Sequence, residues 1–217
     1  MDISENIRKY KNELPENVKL VAISKTKPNE DLLEAYRAGQ RIFGENKIQE
    51  MTDKSEKLPE DIEWHMVGHV QSNKVKYMAP YVSLIHAVDS LKLLKEINKR
   101  AKQNDRTINC LLQIKIAEED SKFGIDVEEA KEILASEAYG KMKHAKVTGL
   151  MGMATFTDDK DQVQSEFKYL KSVFDKFQKD YPALKELSMG MSGDYQIAVE
   201  CGTTMVRIGS SIFGERN

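Results

Sequence analysis

Lys25 follows the first apolar run of the chain, KLVAIS at 19–24. If this run is a strand, Val21, Ile23 and Lys25 lie on one face, because strand side chains alternate. With Val21 and Ile23 filling a barrel, Lys25 would lie at its open mouth, where apolar surroundings favour the neutral amine that forms a Schiff base. On position alone, a solvated lysine is the better interpretation, and Lys27 in the flanking turn is expected to reach water.

Small residues follow the last two apolar runs. The run KELSMGM leads into Ser192, and the run MVRIGS ends in Gly209 and Ser210. Loops of small residues after strands 7 and 8 are the phosphate site of many (β/α)8 barrels. Glycine lets backbone N–H groups approach an anion, and serine adds hydroxyl donors. Either loop alone fits an ordinary turn, but the two together indicate an anion site.

Polar residues in other runs are further candidates. Arg207 lies between apolar neighbours in the last run. A buried arginine needs a partner, either a barrel carboxylate or the ring nitrogen of a bound cofactor. Asn46 could contact a ligand or cap a helix. We place His65, His69 and His86 at the rim, without metal-ligand spacing, and expect each to pack or hydrogen-bond locally.

Eight short apolar runs alternate with segments of helical period. Several are too continuously apolar for a half-solvated sheet, which suits parallel strands covered on both faces. We therefore predict an α/β fold, a single (β/α)8 TIM barrel covering 1–217, in preference to a doubly wound sheet. An extra helix at about 2–13 lies in an N-terminal extension (1–17), and no second β domain is expected. The predicted strands are 19–24, 41–43, 64–69, 83–88, 108–116, 147–153, 185–191 and 205–210.

The composition excludes several classes of function. The net charge is −2, from 33 basic and 35 acidic residues. This balance does not indicate a protein that binds nucleic acid or an anionic membrane. No apolar run approaches the ~20 residues of a spanning helix, and the N-terminus lacks a signal-peptide core. Cys110 and Cys201 are expected to be reduced, buried thiols. We expect a cytoplasmic protein with no metal, nucleic-acid or membrane partner.

Several longer segments carry a more specific signal. They occur in order from about residue 18 to the C-terminus and read LVAISKTKP, FGENKIQE, WHMVGHVQSNK, HAVDS, SKFGI, GLMGMA and LSMGMSGDYQIAVECGTTMVRIGSSIFGER. Together they resemble the pyridoxal-phosphate homeostasis protein family, relatives of the alanine racemase barrel (fold type III). The resemblance implies pyridoxal 5′-phosphate as cofactor, with Lys25 of SKTKP forming the Schiff base.

The resemblance also assigns roles to the other candidates. It implies that Ser192, Gly209 and Ser210 hold the phosphate, that Arg207 points at the pyridine nitrogen, and that Asn46 of FGEN lies beside the cofactor. None of these residues is assigned to catalysis.

Two positions depart from the family pattern. Lys47 stands where an aromatic or another residue often follows FGEN, and Lys115 replaces a frequent asparagine in the fifth strand. Neither removes an expected anchor. If Lys115 points into the mouth, its charge would alter how the ring face is covered.

Three functions stay open on the sequence. The leading one is a non-enzymatic, monomeric carrier that stores pyridoxal 5′-phosphate or delivers it to apo enzymes, since an arginine donor leaves the ring nitrogen a weak electron sink. The second is an amino-acid racemase, which needs a base on each face of the substrate carbon. In the racemase relatives the second base is a tyrosine supplied across a dimer with help from a second domain, which we do not expect here. The third is a barrel enzyme for another phosphorylated metabolite, with Lys25 as its Schiff-base lysine.

Overall fold

The computed structural model of the chain describes residues 2–119 and 123–215. Within these residues, eight parallel strands close into a barrel in sequence order, and β8 pairs with β1. The strands are β1 Lys19–Ile23, β2 Ile42–Glu45, β3 Glu63–Met66, β4 Leu84–Val88, β5 Ile108–Gln113, β6 Ala145–Met151, β7 Glu186–Met191 and β8 Met205–Ile208.

Helices connect successive strands, and several begin at residues suited to capping. Asp2, Ser90 and Asp126 each accept a hydrogen bond from a backbone N–H of the first helical turn, which satisfies a group that the helix leaves unpaired. The helices are α1 Ile3–Glu13, α2 Asn29–Arg37, α3 Ile48–Ser55, α4 Val75–Met78, α5 Leu91–Gln103, α6 Val127–Ala135, α7 Glu137–Gly140, α8 Lys160–Asp180, α9 Tyr195–Glu200 and α10 Ser210–Phe213.

The alternation of strand side chains separates two apolar regions. Inward residues such as Val21 and Met205 form a small cluster inside the barrel. Their neighbours Leu20 and Val206 point outward into the larger core between the barrel wall and the helices. This geometry brings the strand ends and the loops that follow them together at one mouth of the barrel.

The predicted TIM barrel and its N-terminal helix are confirmed. The boundaries differ in detail, and the difference that matters most is in β1, which ends at Ile23 where the sequence predicted 24. The chain turns there, because the N–H of Lys27 donates to the carbonyl of Ser24 at 3.1 Å. The SKFGI segment lies partly outside the described residues. In the described part of the chain, no helix is long and apolar enough to cross a membrane.

Candidate cofactor site

A cavity of about 500 Å³ opens at the C-terminal mouth of the barrel. Its walls come from strand ends and from the loops that follow β1, β2, β3, β6, β7 and β8. All six residues that the sequence assigned to a cofactor line this cavity, namely Lys25, Asn46, Ser192, Arg207, Gly209 and Ser210.

Lys25 lies in the turn after β1, above the apolar interior of the barrel. Val21 is buried inside the barrel and Ile23 packs against the same cluster, as predicted. Lys25 itself is half-buried and lines the cavity. Lys27 also lines it, and its Nζ donates to the carbonyl of Glu215 at 2.9 Å. The expected reach of Lys27 into water is therefore only partial.

The loops after β7 and β8 meet at one side of the cavity. The backbone N–H of Gly209 donates to Ser192 Oγ at 3.2 Å, which ties the two loops together. Gly209 is packed closely against the end of β1, since a Cβ added to it would lie 3.2 Å from the carbonyl oxygen of Ile23. Ser210 is exposed and begins α10, and the first N–H groups of a helix have no acceptor within it.

Arg207 lies at the inner end of the cavity and is 5% exposed. Its Nη1 donates to Ser188 Oγ at 2.6 Å and its Nη2 donates to the carbonyl of Gly152 at 3.2 Å. Burial lowers the pKa of Arg207 to about 10, so the guanidinium stays protonated at neutral pH. These two bonds use two of its five N–H donors, which leaves donors for a group in the cavity.

Beneath Arg207 a chain of buried side chains runs through the barrel. We call the four residues His65, His86, Ser188 and Arg207 the histidine chain. Ser188 Oγ lies 2.9 Å from His86 Nδ1, and His86 Nε2 lies 3.0 Å from His65 Nδ1. Burial lowers the pKa of His65 to about 3 and that of His86 well below its ordinary value. Both rings are therefore neutral.

One proton order uses the hydroxyl proton of Ser188 as well as the ring protons. Ser188 Oγ accepts from Arg207 Nη1 and can donate its own proton to His86 Nδ1. In that order His86 carries its proton on Nε2 and donates it to His65 Nδ1, and we assign the two tautomers on this basis.

The prediction that His65 and His86 lie at the rim is wrong. Both are buried within the barrel, at 4% and 0% exposure, because β3 and β4 turn these side chains inward. His69 does lie in a loop at the mouth, where it stacks on Phe123 and its Nδ1 is 3.4 Å from Asp89 Oδ2. Among the described residues, no cluster of metal-ligating side chains is present.

Asn46 follows β2 and is exposed at the edge of the cavity. Lys47, one of the two departures from the family pattern, is exposed beside it and stands at the N-terminus of α3. The other departure, Lys115, is exposed and is not part of the described cavity lining.

Sequence reasoning missed the residues that support the predicted ones. Ser188 and Gly152 hold Arg207, and their role depends on which residues of neighbouring strands point inward. The sequence feature that could have indicated this contact is a serine in strand 7 together with an arginine in the neighbouring strand 8. Phe156 lines the cavity and is 92% exposed. It lies in a loop whose sequence did not predict a contact with the cavity.

The cavity fits the cofactor that the resemblance implied. A volume of about 500 Å³ is in the range of small-molecule sites, roughly 300–1,000 Å³. Lys25 offers an amine to an aldehyde, and the tied loops of Ser192 and Gly209 offer small donors to a phosphate. The buried, protonated Arg207 offers a donor to a ring nitrogen. These three chemistries match the aldehyde, the phosphate and the ring nitrogen of pyridoxal 5′-phosphate.

Comparison with known proteins gives relatives that cover almost the whole chain. Residues 2–217 match the family described as the alanine racemase N-terminal domain. A pyridoxal phosphate homeostasis protein of Aquifex aeolicus is 40% identical over 200 residues, covering 91% of this chain and 87% of that protein. The protein of the same description from Escherichia coli is 36% identical over 207 residues, covering 94% and 88%.

Solved structures give the same result. PipY of Synechococcus elongatus, with pyridoxal phosphate bound, has a TM-score of 0.89 at 33% identity, covering 98% of this chain and 100% of PipY. An alanine racemase of Clostridium difficile has a TM-score of 0.78 at 14% identity, covering 99% of this chain and 57% of its own, and shares the fold alone. The chain therefore belongs to the pyridoxal phosphate homeostasis protein family, within the wider group that shares the alanine racemase N-terminal domain.

Proposed function

We propose that this protein binds pyridoxal 5′-phosphate as a Schiff base on Lys25 and stores or delivers it in the cytoplasm. The observation that carries the proposal is the convergence of an amine, a loop pair of small donors and a buried arginine on one cavity. The names of the relatives and the cofactor in PipY support it. When bound, the cofactor supplies an aldehyde and an electron-accepting ring.

Each residue of the cavity has a distinct part in the proposal. Lys25 holds the aldehyde end covalently. Ser192 and Ser210, with the backbone around Gly209, hold the phosphate through hydrogen bonds. Arg207 donates to the ring nitrogen and keeps it unprotonated, because a guanidinium can only donate. Asn46 lies beside the cofactor at the open edge.

We propose a carrier rather than an enzyme. An unprotonated ring nitrogen makes the ring a weaker electron sink, which slows chemistry at a bound amino acid. Racemisation also needs a base on each face of the reacting carbon. Among the described residues lining the cavity, Lys25 and Lys27 are the side chains that could act as a base, and Lys27 is hydrogen-bonded to the carbonyl of Glu215.

The carrier role is tested by transfer and turnover together. The loaded protein, mixed with an apo enzyme that depends on pyridoxal phosphate, should restore the activity of that enzyme. With alanine and the other common amino acids, the loaded protein alone should show no racemase or transaminase turnover at enzyme rates, roughly 1–10³ s⁻¹. Turnover at such rates that disappears in Lys25→Ala would make this protein an enzyme.

The phosphate assignment is tested by removing two hydroxyls. Ser192→Ala combined with Ser210→Ala should raise the dissociation constant of the cofactor at least tenfold, because a hydrogen bond to a charged group contributes about 1.5–3 kcal/mol. Binding should weaken without vanishing, since backbone donors remain. Equilibrium dialysis of the double variant measures the change. An unchanged dissociation constant would place the phosphate elsewhere.

A further inference from the structure

A cluster of polar and charged side chains, most of them buried, lies behind the turn that carries Lys25. We call Ser24, Glu45, Glu50 and Lys54 the Lys54 cluster. It lies where the end of β1, the end of β2 and helix α3 meet. Its four residues are not among those that line the cofactor cavity. Ser24 and Glu45 are 0% exposed and Lys54 is 6% exposed.

The hydrogen bonds of Lys54 account for its burial. Its Nζ donates to the carbonyl of Ser24 at 2.8 Å, to Glu45 Oε1 at 2.7 Å and to Glu50 Oε1 at 2.8 Å. An ammonium has three N–H donors, and here all three have oxygen acceptors. Burial raises the pKa of Glu45, and Lys54 and the hydroxyl of Ser24 oppose that shift. Removing one partner of such a buried pair is costly, because it leaves the other charge buried without compensation.

The Lys54 cluster holds the backbone on both sides of Lys25. Before it, Ser24 is bound twice, through its carbonyl to Lys54 and through its hydroxyl to Glu45 Oε1 at 2.6 Å. After it, the N–H of Thr26 donates to Glu50 Oε1 at 2.5 Å.

Thr26 adopts a φ of 64°, a left-handed conformation that is unfavourable for a β-branched residue. Such a conformation persists only where the surroundings impose it. Among the described contacts of the Thr26 backbone, the acceptor is the Glu50 carboxylate, which is itself fixed by Lys54.

We infer that Glu50 and Lys54 are positioning residues, which clamp the turn at Ser24 and Thr26 and so orient the amine of Lys25 toward the carbonyl compound that enters the cavity. This role rests on the proposed function of Lys25. The side chains act through the backbone, so they set the rate and selectivity of capture at Lys25 without touching the ligand.

The test compares two glutamates in similar settings. Glu50→Ala removes the acceptor of Thr26, and Glu50→Gln keeps an oxygen there but loses the ion pair. Glu96 is the matched control, since its side chain is as exposed as that of Glu50, at 23%, and pairs with Arg100 four residues later on α5. The first readout is amide hydrogen exchange of the segment 24–27 in protein without added cofactor. The second is the rate at which pyridoxal 5′-phosphate, trapped by borohydride, labels Lys25 relative to Lys27.

Glu50→Ala should speed amide exchange at Thr26 and slow labelling of Lys25, each by roughly tenfold or more, because small misplacements of a reacting group cost up to ~10²-fold in rate. Glu50→Gln should fall between it and the wild type, while Glu96→Ala and Glu96→Gln should match the wild type. Unchanged exchange in Glu50→Ala, or equal changes in Glu96→Ala, would overturn the inference. If the wild type is never labelled at Lys25, the proposed function fails, whereas the exchange result still decides whether the clamp exists.

Discussion

The Lys54 cluster and the histidine chain are both buried and polar, yet they are built from different chemistry. The first lies between the barrel wall and α3, and it pairs an ammonium with two carboxylates. The second lies inside the barrel and joins two neutral imidazoles and a hydroxyl to one cation, Arg207.

The difference shows how each region supports the cavity. In the Lys54 cluster one ammonium bridges two carboxylates, and the oxygens and N–H groups of these side chains hold the backbone around Lys25. In the histidine chain Arg207 is the charged group, and burial keeps the two imidazoles beneath it neutral. The Lys54 cluster fixes a loop by ion pairing, and the histidine chain fixes the Arg207 side chain by hydrogen bonds to neutral groups.

The largest effect is expected from breaking the ion pairs of the Lys54 cluster. Lys54→Met leaves two carboxylates without their cation, and removing one partner of a buried pair costs about 3–5 kcal/mol in the free energy of unfolding. Urea unfolding measures this loss. Lys171→Met, which breaks the more exposed pair with Asp175 on α8, should cost no more than about 0.5 kcal/mol. Equal losses in both variants would show that burial of Lys54 does not increase its contribution to the free energy of unfolding.

A graded effect, smaller than this within the first pH unit below 6.5, is expected from acidifying the histidine chain. The unfolded chain takes up protons on His65 and His86 as the pH falls below their ordinary pKa of 6.5, while the folded protein does not, because burial lowers both values. The contribution of the neutral histidines to the free energy of unfolding is therefore fully present above pH 6.5. It is lost as the pH falls from there toward about 3. Each ring contributes a slope of at most about 1.4 kcal/mol per pH unit.

His65→Gln isolates the contribution of one ring to this slope. The variant should be less stable at neutral pH, since its new amide must fit a buried site, but its free energy of unfolding should fall less steeply than that of the wild type between about pH 6.5 and 5. Urea unfolding at several pH values in that window measures both slopes. Identical slopes would contradict the assignment of a neutral, buried His65.

Most of the fold could be predicted because it depends on local patterns. The apolar runs and the helical segments between them identified the eight strands, and Val21 with Ile23 indicated which face of β1 points inward. The left-handed conformation of Thr26 could not be predicted, because the contact of its N–H with Glu50 joins residues 24 positions apart. Sequence periodicity carries no information on such a contact.

The candidate site was predicted unevenly, for a physical reason. Lys25, Ser192 and Gly209 lie within two residues of a strand end, so the topology of a barrel alone brings them to one mouth. The depth of a side chain depends instead on its register in the closed barrel, which explains why His65 and His86 were placed at the rim. The burial of Lys54 could not be predicted, because a lysine in a helix is solvated in most proteins. It is buried here because α3 packs over the ends of β1 and β2.

Every role proposed for the cavity depends on Lys25 being the residue that captures pyridoxal 5′-phosphate. To test this, the protein is loaded with one equivalent of the cofactor and reduced with borohydride, and the pyridoxyl group is mapped by peptide mass spectrometry. We expect an absorption band near the visible edge that reduction abolishes, and an adduct on Lys25 that persists in Lys27→Ala. Lys25→Ala should lose the band while staying folded and keeping some phosphate-anchored cofactor. An adduct on Lys27 alone, or no adduct, would show that Lys25 is not the capturing residue.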